Sequence, residues 1–128
     1  MLSRNKLKPA YHQNLITQFY TAINKNHSLE EAERFMEHLL TPVEIDTFAK
    51  RLEIFKELRK GSTYSEIGDK VKVTGATTAK MNNILRKADG KFLSFLDRLA
   101  DQDLIMEKRE KESKYAKGSK QIYKKRIN

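Results

Sequence analysis

The chain has 128 residues, of which 38% are apolar and 34% charged, and 26 Lys and Arg against 17 Asp and Glu give a net charge of +9. That length suits one domain with an extension, and so lean an apolar content leaves a monomer with a modest core that a second copy would complete. The absence of cysteine excludes a disulfide framework and a thiolate metal site. No apolar run reaches membrane-spanning length, and the N-terminus lacks the apolar centre of a secretion signal, so a cytoplasmic protein with no membrane partner is expected.

Leu15, Ile16, Phe19, Tyr20 and Ile23 recur at helical spacing, which predicts a first helix from about Pro9 to Asn24. In "SLEE", Ser28 can cap a second helix while Glu31 reaches back, and that helix carries Leu29, Ala32, Phe35, Met36 and Leu39. "TPVE" repeats the device with Thr41 as cap, Pro42 at the first helical position and Glu44 closing the box. The third helix, from Pro42 to Lys60, has a stripe of Ile45, Phe48, Leu52 and Phe55 widened by Ala49, Ile54 and Leu58, and it stops at Gly61.

"TYSE" supplies another box, Thr63 with Glu66, ahead of a short helix with Ile67 and Val71. Thr74 caps the helix that follows, which ends near "KADG". A last helix is expected from Lys91 to about Lys108, holding Phe92, Phe95, Leu96, Leu99 and Leu104. Beyond it the periodicity fails, and Gly118 with sparse apolar residues reads as a basic, disordered tail over 107–128. No segment reads as a strand, so the fold class is all-α, with a helical domain over 1–106.

Charge is concentrated rather than spread. Residues 59–91 carry eight basic and three acidic side chains, and residues 107–128 carry nine and three. Blocks of this kind favour polyanions, nucleic acid before membrane surface.

Residues 64–87 fit a helix-turn-helix. Ile67, Val71 and Val73, then Met81 with Ile84 or Leu85, fill the inner positions, and Gly68 is small where the helices should approach. The second helix opens on Thr74, Gly75, Ala76 and Thr77, bulk-free and hydroxylated, which suits entry into a major groove. Lys80, Asn83, Arg86 and Lys87 lie further along its outer side, and Ser65 opens the first helix, all suited to phosphates or base edges. Lys72 falls at the turn, where φ > 0 is often needed and glycine is usual, and Thr78 is more polar than an inner position favours. Plain capping chemistry would also place Thr and Gly at this helix start.

"LLTPVEIDTFAKRLEIFKELRKG" followed by "GATTAKMNNILRK" resembles the Trp repressor superfamily, including its YerC-type branch. The likeness covers roughly residues 10–100. It implies an intertwined homodimer of about six helices per chain, and a DNA-binding transcriptional regulator, most simply a repressor, reading a pseudo-palindromic operator in double-stranded DNA. It also implies a corepressor site for L-tryptophan, with Thr41, Arg51 and Lys80 at the matching positions. Here Lys80 lacks the flat guanidinium that covers an indole ring, and Met81 and Ile84 stand where a glycine and a serine are found. No cofactor is therefore expected, and tryptophan is not expected to be the effector. Arg51 reads equally as a surface residue paired with Glu44, Asp46 or Glu53.

Other readings remain open. The basic tail, with Tyr115 and Tyr123 to stack on bases, would make a nonspecific nucleic-acid or nucleoid binder. The interlocked helices alone would make a protein-interaction adaptor. His12, His27 and His38 share no metal-ligand spacing, and no nucleophile–base arrangement or phosphate loop stands out, so no enzyme is expected.

Overall fold

The computed structural model describes residues 5–127, with side chains through residue 114. Among these there are six helices and no strand: α1 (Pro9–Asn24), α2 (Leu29–Leu39), α3 (Pro42–Lys60), α4 (Tyr64–Val71), α5 (Gly75–Arg86) and α6 (Gly90–Ile127). The chain divides into two compact units, Met1–Thr47 and Phe48–Asn128. No helix among the described residues is long and apolar enough to cross a membrane.

Local capping sets most of the helix boundaries. Thr41 and Glu44 exchange hydrogen bonds, the Glu44 carboxylate accepting from the Thr41 N–H at 2.9 Å and the Thr41 hydroxyl accepting from the Glu44 N–H at 3.2 Å. Those bonds hold the exposed Glu44 carboxyl below its ordinary range, the backbone N–H contributing most. Ser28 accepts from the Glu31 N–H, but Glu31 reaches back to the N–H of His27, one residue earlier than a strict box. At the start of α6 the Asp89 carboxylate accepts from the Phe92 N–H at 2.8 Å, a cap the sequence pattern had not singled out.

α6 is much longer than the expected Lys91–Lys108 helix and continues to Ile127. After Glu107 the sequence contains no proline and many Glu, Lys and Arg, all good helix formers, and a single interior Gly118 costs only about 1 kcal/mol. Failed apolar periodicity therefore removed the reason for burial without removing the propensity for helix.

In the second unit the core is Ile54, Ile67, Val71 and Met81, with Phe55, Leu58 and Val73 packed against it. Leu85, Leu96 and Ala100 are also buried. Each large side chain sequestered here stabilises by about 1.5–3 kcal/mol. The expected stripe on α3 is covered only in part: Ile54 is almost wholly buried and Phe55 and Leu58 pack against the core, whereas Phe48 is 50% and Leu52 39% exposed. In the first unit neither α1 nor α2 has a buried residue.

Candidate nucleic-acid interface

α4 and α5 form a helix-turn-helix. The Thr63–Glu66 box is complete, each side chain bonded to the other residue's N–H at 3.1 Å, so α4 starts at a fixed point. It ends at Lys72, whose φ of 61° and ψ of 54° place it in the left-handed region. A β-carbon there costs roughly 1–2 kcal/mol. A lysine thus occupies the turn position expected of glycine, at normal turn length. Gly68 is needed for the close approach, since a Cβ on it would stand 3.1 Å from the Val73 carbonyl oxygen.

α5 begins from Thr74, whose hydroxyl accepts from the Thr77 N–H at 3.3 Å and lies 3.1 Å from the Thr77 hydroxyl. Thr78 is fully buried, and its hydroxyl donates to the Thr74 carbonyl at 3.3 Å, which removes the penalty for a polar group in the core. Of the two inner candidates near the end of α5, Leu85 is the buried one and Ile84 is 42% exposed.

Every sequence-selected contact residue of the head is exposed: Ser65, Thr74, Gly75, Ala76, Thr77, Lys80, Asn83, Arg86 and Lys87. All but Ser65 and Thr74 lie on α5 or at its C-terminal cap. The eight basic residues of the 59–91 block divide in two. Arg59 is paired with Asp97, Lys60 with Glu57, and Lys70 with Glu57 and Glu53. Lys72, Lys80, Arg86, Lys87 and Lys91 form no ion pair with a described residue. The paired cations fasten the scaffold, and the free ones lie at the turn, along α5 and just beyond it. Lys72 is both the turn residue and a cation without an ion pair to a described residue.

The scaffold pairs centre on Glu57, which sequence reasoning missed. Its carboxylate accepts from Lys70 Nζ and Ser62 Oγ, each at 2.6 Å, and from Lys60 Nζ at 3.2 Å. Burial pushes this carboxyl upward, but the three donors together overcome that and hold it at about 2. Lys56 bridges Glu53 to Asp103 of α6, and Arg59 grips Asp97 with two parallel bonds at 2.9 and 2.8 Å. Glu53, Lys56, Glu57 and Lys60 do follow a 3–4 spacing on α3, a signal for a charged stripe. Their partners on α4 and α6 leave no trace in local spacing.

The residues matching the corepressor site fall in different units. Thr41, in the first, is engaged as the α3 cap. Arg51, in the second, forms no ion pair with a described residue, so the pairing with Glu44, Asp46 or Glu53 is not formed. It lines an open groove of about 400 Å³ with Phe48, Leu52, Phe55, Ile84 and Phe92. Phe55 and Phe92 meet edge to face there, centroids 5.8 Å apart. Met81 packs with Ile54, Ile67 and Val71 in the core.

Comparison with known proteins agrees with this architecture. The Trp repressor protein family matches residues 14–100, which takes in α2 to α5 whole. The uncharacterized protein YerC of Bacillus subtilis (strain 168) is 31% identical over 88 residues, covering 69% of this chain and 85% of that protein. With its capped helix-turn-helix inside the matched span, the chain belongs to the Trp repressor family, a family of DNA-binding regulators.

Proposed function

We propose that this protein is a cytoplasmic, sequence-specific transcriptional regulator, acting as a repressor, that binds a pseudo-palindromic operator in double-stranded DNA as a homodimer. One observation carries the reading: the cations left unpaired in the 59–91 block lie at the turn, along α5 and just past it, beside a helix start of exposed Thr74, Gly75, Ala76 and Thr77. Small residues there admit the helix end to a major groove, and Ala76, Thr77 and Lys80 lie nearest the bases. Ser65, Arg86 and Lys87 hold phosphates, as does Asn83 where it meets the backbone. The basic block from residue 107 onward adds attraction that does not depend on sequence.

Dimerisation is supported by what one chain leaves uncovered. Phe19, Tyr20, Leu29, Phe48, Phe95 and Leu104 are all at least 43% exposed, large apolar side chains of the kind a partner surface covers. Independence from tryptophan is supported by Met81, which fills core space, and by Ile84, which makes the groove beside Arg51 apolar.

Selection from random duplexes with the full chain, at salt high enough to suppress nonspecific binding, should enrich a two-fold symmetric site with half-sites about one helical turn apart. L-Tryptophan should leave affinity for that site unchanged. A Thr77→Ala/Lys80→Ala double variant should lose about tenfold or more of its preference for the selected site. Unchanged selectivity in that variant would remove these residues from base reading, and no enrichment at all would sink the sequence-specific reading.

A further inference from the structure

Glu57 is the only charged residue buried among the described residues. An ion pair in such a position is weak evidence of stabilisation, because well-packed apolar residues often serve as well or better. What it provides here is direction. One carboxylate receives Ser62 from the loop after α3 and Lys70 from the last turn of α4, besides Lys60 of its own helix. Lys70 also reaches Glu53, one turn earlier on α3, at 3.2 Å. Two acceptors a turn apart on α3 therefore hold one ammonium on α4. Packing between Ile54, Ile67 and Val71 holds the two helices together, and the charge-assisted hydrogen bonds on Glu57 add a directional constraint to it. α5 follows α4 through the left-handed turn at Lys72 and the close approach at Gly68, so the orientation of α4 is passed to α5.

We infer that Glu57 is a positioning residue for DNA recognition, setting through Lys70 and Ser62 the angle at which α5 is presented. It also withholds Lys60 and Lys70 from phosphates, which limits binding to unselected DNA. The inference rests on α5 being the recognition helix.

The test compares the full chain with Glu57→Gln, Lys70→Met and the double variant, on the selected duplex and on a random duplex, where circular dichroism shows each fully folded. Glu57→Gln should lower the selected-over-random ratio roughly tenfold while affinity for random duplex stays level or rises. Lys70→Met, at a half-exposed position that folding tolerates, should lower the ratio similarly, and the double variant should lower it no further. A wild-type ratio in either single variant, or fully additive losses in the double, would overturn the positioning role. So would selected and random affinities falling together, the mark of a merely structural residue. A wild-type chain without any preference among duplexes would instead overturn the assignment of α5 itself, and the positioning role with it.

Discussion

The helix-turn-helix unit and the N-terminal helices use the same local grammar and arrive at different states. Both have well-capped helices, Thr63 with Glu66 in one and Ser28 in the other. Between Ile54 and Ala100 the chain encloses a core of its own, whereas α1 and α2 carry Leu15, Phe19, Ile23 and Leu39 without burying any of them. Capping decides where a helix begins, and tertiary burial decides whether it persists, since isolated helices of this length are marginal in water. The second unit supplies its own burial, and the first leaves its large apolar side chains exposed.

The contrast is broken most severely by charging the uncovered face. Leu15→Lys with Phe19→Lys should cost several kcal/mol of assembly, as each side chain contributes about 1.5–3 kcal/mol when covered. Sedimentation should then show monomer, and the helical signal of α1 and α2 should fall while the signals of α4 and α5 remain. A wild-type melting temperature independent of protein concentration would show that no partner chain stabilises the first unit.

The second unit has its own weak point in acid. The Glu57 carboxyl stays ionised down to about 2 in the folded chain, where the unfolded chain protonates it near 4.5. Its contribution is therefore complete above the unfolded value and is lost as pH falls through about 2, on the order of 3 kcal/mol in all. Urea midpoints measured from pH 6 downward should fall more steeply in the wild type than in Glu57→Gln. Lys70, Lys60 and Ser62 are the groups that donate to that carboxylate.

Smaller effects sharpen the geometry of the turn. Gly68→Ala should destabilise the second unit by about 1–2 kcal/mol, because the added carbon meets a backbone carbonyl that the turn holds in place. Lys72→Gly should stabilise it by about 0.5–1 kcal/mol by removing the left-handed penalty. Thermal unfolding followed by far-ultraviolet circular dichroism would register both.

Much of this was legible in the sequence, and what was not has a common cause. The limits of α1, α3, α4 and α5 follow from capping residues and prolines, which act within four residues of the boundary they set. The residues proposed to meet DNA come from the same local pattern, and they lie exposed. On α3 the spacing finds Ile54, Phe55 and Leu58, which reach the core, but it cannot separate them from Phe48 and Leu52, which look like core to any periodicity argument and lie exposed. The Glu57 centre was invisible because Lys70 lies 13 residues away and Asp103 lies 47 from Lys56. Continuation of α6 past 108 leaves no apolar spacing to read, because helix propensity alone suffices there.

The left-handed lysine sets two demands against each other at a single codon. Glycine at position 72 would give the sturdier fold and remove one unpaired positive charge from the turn, while lysine keeps the charge and accepts the strained backbone. If the proposed function holds, position 72 sets durability against grip. Exchanging its occupant should retune how long the protein dwells on DNA while leaving unchanged which sequence it selects.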